Sequence, residues 1–402
     1  MMAINVKILS KVNFRVNFAK EIHHSCKILV VGGGTAGCTM AAKLSKNYPN
    51  PQNHVIVLEP SEVHYYQPLF TLIGGGLSKF DSSKRSMSEV LPKNAQWIKD
   101  SAMFFDPEAN KVTTRNGDTI EYQLMIIAMG LQLHWEKIPG LVDSLKNPES
   151  QVCSIYGPET VTEVFRKIKR TSNGPCVFTF PNSPVKCPGA PQKIVYLAED
   201  YWSKKNKRKN VEVIYNTSLP VIFGVKKYAD ALWEVCKSRN IIVNTQMSLV
   251  EVRDKEAVFV DLKNPDIKVI QKKHQSLTNE AGFLNVDPKT LQHIKYKNIF
   301  GLGDCTTTPN SKTMAAIASQ SKVVHNHVLS FLNGKKSNLE YNGYASCPLV
   351  TGPGKCILAE FDYNLQPLET FPVNQKNEYW AIGQWNGPEF IRKSLAIFKS
   401  NK

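Results

Sequence analysis

The sequence predicts an α/β protein of two parallel-sheet units, the first interrupted by the second, followed by a short amphipathic C-terminal region. Three observations carry that prediction. An apolar strand, KILVVGGGTAG from Lys27, runs into Gly32, Gly34 and Gly37, and a second apolar strand, HVIVLEP, ends in Glu59, twenty-two positions after Gly37. Far along the chain, NIFGLGDC places Gly301, Gly303 and Asp304 ahead of an alanine-rich helix pattern. Between them, strand and helix patterns alternate over residues 150–271.

The first segment has the order that a dinucleotide-binding turn requires: strand, glycines, helix, strand, acid. Gly32 permits the tight turn, Gly34 and Ala36 let backbone approach a pyrophosphate at the helix N-terminus, and Gly37 lets helix and strand pack closely. Glu59 is placed to accept hydrogen bonds from a ribose. Both units are therefore expected to be Rossmann-like.

A chain of 402 residues can bury two or three cores. Its net charge of +16 starts early, with Lys7, Lys11, Arg15 and Lys20 against one acid, Glu21, among the first twenty-five residues. Basic, nearly acid-free and studded with Ile4, Leu9, Phe14 and Phe18, residues 1–25 read as an organellar transit peptide. The basic run at 204–209 lacks interleaved aromatics or a recognised module, so it reads as a solvated face and not a nucleic-acid site. A basic surface suits an anionic membrane or an anionic substrate. No run approaches eighteen apolar residues, which argues against a spanning helix. Nine cysteines with no CxxC pair and no secretory signal argue against a disulfide scaffold and a zinc site, so no metal is expected.

After Glu59, the aromatic and glycine-rich segment PSEVHYYQPLFTLIGGGLS reads as a packed loop with Gln67 and Pro68 as candidate flavin neighbours. Short strands follow at Ala95–Ile98, Ser101–Phe105, Lys111–Thr114 and Thr119–Tyr122, with Asn116-Gly117 as a hairpin turn and Ala102 beside an adenine edge. A further apolar strand, YQLMIIAMG, ends in Ala128-Met129-Gly130, where chains of the disulfide-reductase type leave the first domain. Together with the opening glycine turn, this ending favours FAD over a free nicotinamide cofactor.

In the second unit a helix is expected over 158–170 and a strand over 175–180, and then PNSPVKCPGAPQK stands where a second glycine fingerprint would be. Four prolines there remove backbone donors, so no NAD is expected. The segment presents Cys187 beside Lys186, just ahead of a helix from Pro191. Positive charge and a helix N-terminus favour a low-pKa, redox-active thiol. Further strands and a helix complete the unit, with Cys236 in its core. In the GLGD segment Asp304 can bond a ribityl chain, and the helix beginning at Lys312 to Met314, with Ala315, Ala316 and Ile317 in its first turn, can aim its positive end at a flavin. Cys305 reads as structural. Phe390, Ile391, Leu395 and Phe398 lie on one helical face opposite Arg392, Lys393 and Lys399, a pattern suited to a membrane surface.

SPVKCPGAPQKIVYL, TSLPVIFGVKKYADAL, IFGLGDCTTTPNSKTMAA and YASCPLVTGPGKCILAEFDYNLQPLETFP resemble the eukaryotic mitochondrial sulfide:quinone oxidoreductases, from about Lys27 to Pro372. The resemblance implies FAD held through Gly32 to Gly37, Glu59, Gln67, Asp304 and Met314 to Ile317. It also implies that Cys187 and Cys347 form the redox pair. In that family hydrogen sulfide attacks a cysteine bridge, electrons pass through FAD to ubiquinone, and sulfane sulfur goes to glutathione or sulfite. The implied place is the matrix side of the mitochondrial inner membrane.

The implied organisation is a transit peptide at 1–25, FAD-binding parts at 26–149 and 272–345 around a second domain at 150–271, and a second redox cysteine with a quinone and membrane region at 346–402. Two departures from the family pattern stand out. The return segment between Gln271 and Ala281 is short, and so is the stretch between Asn377 and Trp385. A non-catalytic flavin-binding protein, or another flavin-dependent quinone reductase, is the alternative expectation.

Overall fold

The structure is a computed structural model that describes residues 22–48, 54–254, 256–263, 277–279 and 281–369, and the backbone of 379–380. Most of the expected transit peptide, the short return segment and the amphipathic C-terminal stretch lie outside the described residues.

The central strand of the first unit, His23–Val31, pairs in parallel with Val55–Leu58 on one side and with Thr119–Ile127 on the other. Its first three residues were expected to belong to the leader, yet His23, His24 and Ser25 are paired with Thr119, Ile120 and Glu121. Gln96–Ile98 extends the sheet beyond Val55–Leu58. On the other flank Lys111–Thr114 and Ala102–Asp106 add antiparallel strands. Ile28, Leu29, Val30, Ile56 and Val57 are all completely buried, as strands covered on both faces must be. Each such side chain contributes about 1.5–3 kcal/mol.

Thr119–Ile127 is one strand of nine residues, where the sequence suggested two. Its first half alternates between buried and exposed positions beside the antiparallel flank, and its second half is buried at every position. A change of burial regime within one strand gives two sequence patterns. Ile299–Gly301, the strand of the GLGD segment, pairs in parallel with its end and extends the sheet on this side.

The second unit is a parallel sheet in the order Ile242–Thr245, Val211–Thr217, Gly174–Phe180, with the Ala190–Lys204 and Lys226–Ser238 helices and a two-stranded antiparallel pair. It has its own apolar core around Trp202, Tyr228 and Val213. The segment after Glu59 is more ordered than a loop: Val63–Tyr65 is a strand, Gln67–Leu69 a 3-10 turn and Phe70–Gly74 a short helix. Its glycines are packing devices, since a Cβ on Gly75 would lie 2.5 Å from Leu197.

Ala345–Gly352 and Lys355–Phe361 form an antiparallel hairpin that the sequence did not reveal. Pro348 argues against a strand, but here it stands in a strand paired on one side, the place where a sheet tolerates proline. The inner face of the hairpin, with Ala345, Cys347 and Leu349, belongs to the core of the second unit.

Candidate active site

The two glycine motifs converge. A Cβ on Gly303, which has φ +81°, would lie 3.3 Å from Ala36 Cβ and 3.5 Å from Ile317. The Thr35–Ser45 and Met314–Leu332 helices therefore start on either side of one point. Gly32 has φ +103°, and a Cβ on Gly37 would meet the Gly32 carbonyl oxygen at 1.8 Å. At Gly34 a Cβ would meet nothing within 4 Å, so this glycine is free of any packing demand in the protein itself. The first helix has no side-chain cap, which leaves its leading N–H groups available to an anion.

Glu59 sits at the end of its strand, accepting from the Gly33 amide at 2.5 Å and the Ser61 amide at 2.7 Å. Each oxygen retains lone pairs for a hydroxyl. Buried His64 meets the Gly33 carbonyl at 3.1 Å through Nδ1 and lies within 3.8 Å of Cys38 Sγ. Burial lowers its pKa, and Nδ1 donates to that carbonyl. These features fit a dinucleotide: an open approach at Gly34, uncapped amides and a carboxylate.

At the second motif, burial raises the Asp304 pKa while the cations of Lys312 and Lys186 oppose the shift. Lys312 donates to the carbonyls of Thr306 at 2.8 Å and Thr308 at 2.9 Å, which fixes the loop between Asp304 and the helix. Thr313 caps that helix by accepting from the Ala316 amide at 3.2 Å. Of the first-turn residues, Met314 and Ala315 keep their amides available, while those of Ala316 and Ile317 are used by Thr313. Ala102 opens the outermost strand, and Gly130, with φ +70°, ends the exit from the sheet. Cys305 is buried against the Ile127 and Leu302 carbonyls, and burial pushes its pKa to about 11, as suits a structural thiol.

Cys187 lies between the two units with φ +46°, a left-handed conformation that costs a non-glycine residue about 1–3 kcal/mol. Two backbone bonds hold it there. Its amide donates to the Lys312 carbonyl at 2.7 Å, and its carbonyl accepts from Ala190 at 2.8 Å. From the hairpin, buried Cys347 comes close enough to Cys187 for each thiol to shift the pKa of the other. Gly189 makes the approach possible, since a Cβ there would lie 2.4 Å from Cys347 Sγ.

The cation beside Cys187 is Lys193 and not the expected Lys186. Lys193, in the first turn of the Ala190–Lys204 helix, is buried with its Nζ 3.5 Å from Cys187 Sγ. Lys186 turns away to donate to Gln67 Oε1, a bond that ties the cysteine loop to the first unit. The Cys347 thiol and then Lys193 pull the Cys187 pKa below the ordinary thiol range against the opposing effect of burial. Cys347 moves the other way, because it donates to Cys187 and is itself buried. The proton of the pair is thus favoured on Cys347 and disfavoured on Cys187. The signal for Lys193 was a lone cation in the apolar run APQKIVYLA. Cys236 is buried in the second core with its pKa pushed to about 11. Among the described residues no cluster could hold a metal ion, and no helix is long and apolar enough to cross a membrane.

Residues 26–166 match the family model described as pyridine nucleotide-disulphide oxidoreductase. The mitochondrial sulfide:quinone oxidoreductase of Mus musculus is 42% identical, the match covering 91% of this chain and 89% of that protein. A chain of the mitochondrial ATP synthase of Tetrahymena thermophila superposes with a TM-score of 0.77 at 21% identity, covering 94% of this chain and 95% of the other. The sulfide:quinone oxidoreductase of Aquifex aeolicus superposes with a TM-score of 0.71 at 20% identity, covering 86% and 85%. At these identities the two structural likenesses bear on the fold alone.

Proposed function

The chain belongs to the mitochondrial type of sulfide:quinone oxidoreductase, a family of FAD-dependent oxidoreductases, and from that premise we propose that it oxidises hydrogen sulfide through a Cys187–Cys347 relay and reduces ubiquinone. The observation that carries this reading is the meeting of the two cysteines beside buried Lys193, next to the converging glycine motifs. Gly32, Gly34, Ala36 and Gly37 would hold the FAD pyrophosphate, Glu59 a ribose and Asp304 the ribityl chain. Gln67, Gly130, Lys312 and Met314 to Ile317 would surround the ring system, with Ala102 at the adenine. When bound, FAD supplies a two-electron acceptor that quinone can reoxidise.

The protein's own groups set the direction of the sulfur chemistry. With the cysteines joined, hydrosulfide attacks the Cys347 sulfur: a new S–S bond forms, the inter-cysteine bond breaks, and Cys187 leaves with the electron pair. The lower-pKa thiol leaves faster, and Lys193 makes that thiol Cys187. The sulfane sulfur stays on Cys347 as a persulfide. Glutathione or sulfite then attacks the outer sulfur and takes it, releasing the Cys347 thiolate. Loss of two electrons from the paired thiols restores the bridge.

The two separate cores support the division at residues 150 and 272. The names of the relatives support a mitochondrial location. The basic surface and the amphipathic pattern at 390–399 support attachment to the matrix side of the inner membrane through the C-terminal region.

The test is the visible spectrum of the purified protein, taken anaerobically before and after sulfide is added together with sulfite. Bleaching of a bound flavin is the expected result. A flavin that stays oxidised means that the relay does not operate.

A further inference from the structure

Gly33 lies outside the glycine spacing of the dinucleotide turn, yet it must be glycine, since a Cβ there would lie 2.6 Å from Glu59 Cγ. Both of its backbone groups are engaged by side chains. The amide donates to Glu59 Oε2 at 2.5 Å, and the carbonyl oxygen is met by Cys38 Sγ at 3.0 Å and His64 Nδ1 at 3.1 Å. A carbonyl oxygen only accepts and has two lone pairs, so both side chains donate and the oxygen is saturated.

The two donors are firmly placed. Buried Cys38 lies in the Thr35–Ser45 helix, and burial pushes its thiol up to about 12, so it keeps its proton. Buried His64 is the middle residue of the Val63–Tyr65 strand, which pairs with Lys84–Ser86. Ser61 ties that strand to Glu59, its amide donating to Glu59 Oε1 at 2.7 Å and its hydroxyl to the Val63 carbonyl at 2.8 Å. One short segment therefore grips Gly33 at both ends.

The consequence falls on the next amide. The Gly33 carbonyl shares a planar trans peptide with the Gly34 N–H, and the two point in opposite directions. With the oxygen drawn to Cys38 and His64, the Gly34 amide faces away from them, and among the described residues it has no hydrogen-bond partner. A peptide between two glycines turns over easily. Turned over, this one would offer an anion its carbonyl oxygen in place of its amide.

We propose that His64 and Cys38 are positioning residues for FAD: by fixing the Gly33 carbonyl they hold the Gly34 amide toward the pyrophosphate. This rests on the placement of FAD proposed above. Both act through the intervening peptide, and neither takes part in the sulfur relay.

The experiment uses the full chain with FAD bound, made as wild type, His64→Phe, His64→Asn and Cys38→Ala. Release of FAD is followed by the flavin fluorescence recovered on dilution, and the bound pyrophosphate by phosphorus NMR. His64→Phe is expected to release FAD roughly threefold to tenfold faster and to shift the phosphorus signals, with the flavin absorption bands unmoved. The side-chain amide of His64→Asn can donate where Nδ1 did, and should bring both readouts back toward wild type. Unchanged release and phosphorus signals in His64→Phe would overturn the proposal. So would a His64→Asn protein as impaired as His64→Phe, because the bulk of the ring and not its hydrogen bond would then matter. Cys38→Ala removes the second donor and should shift the same signals; unchanged signals there count against the proposal even if His64→Phe folds poorly. Phosphorus signals in the wild-type protein identical to those of free FAD would overturn the placement of FAD and this role together.

Discussion

Cys187 carries three constraints at once: a left-handed backbone, a backbone bond to Lys312 and a buried cation at 3.5 Å. Its lowered pKa means that the reduced protein gains stability from the thiolate above the ordinary thiol pKa and loses it as pH falls through the folded value. Lys193→Met keeps the volume and removes the charge. Ultraviolet titration of the thiolate should show its midpoint moving upward in this variant, and the stability of the reduced form should depend less on pH. Cys187→Ser and Cys347→Ser should each retain FAD and fail to bleach with sulfide; normal bleaching would remove that cysteine from the relay. Sequence spacing named Cys187 because its signal is local, a cysteine among prolines ahead of a helix. It could not pair Cys187 with Cys347, which only resemblance suggested, nor choose between Lys186 and Lys193, since both precede or begin the same helix.

At the scale of elements, the glycine turn was fully legible because each of its requirements is met within a few residues. Gly34 and Gly37 nevertheless serve different needs, and the difference is measurable. Gly34→Ala should fold with an unchanged thermal midpoint, since its Cβ meets nothing, and should lose FAD affinity by roughly tenfold or more if the cofactor backbone approaches there. Gly37→Ala must push the helix from the Gly32 carbonyl and should lower both stability and flavin retention. A flavin content equal to wild type in Gly34→Ala would place the pyrophosphate elsewhere. The Ala345–Phe361 hairpin was hidden for the opposite reason: Pro348 and the Gly352–Gly354 turn obscure the alternation that a strand should show. The second half of Thr119–Ile127, buried throughout, likewise loses the period by which strands are recognised.

For the whole molecule, the candidate active site draws on three places: the glycine turns of one core, the cysteine loop of the other and the hairpin that completes the second. Asp304→Ala removes a buried carboxyl flanked by Lys186 and Lys312, and flavin retention on gel filtration should fall; full retention would undo its assignment. Removing residues 386–402 should spare flavin reduction by sulfide and slow quinone turnover in membranes, and an unchanged rate would place quinone access elsewhere. The net charge of +16 predicts that attachment to anionic vesicles weakens as salt is raised.

Cys187 and Cys347 stand 160 positions apart in the chain. A bridge between them encloses two-fifths of the polypeptide and, as a cross-link, would restrict the unfolded chain by about 5 kcal/mol. In the proposed relay each turnover unfastens and refastens that cross-link. The resting, oxidised enzyme should therefore resist heat and proteases better than the same enzyme kept reduced by sulfide, so that its durability in use follows how promptly its electrons are carried away.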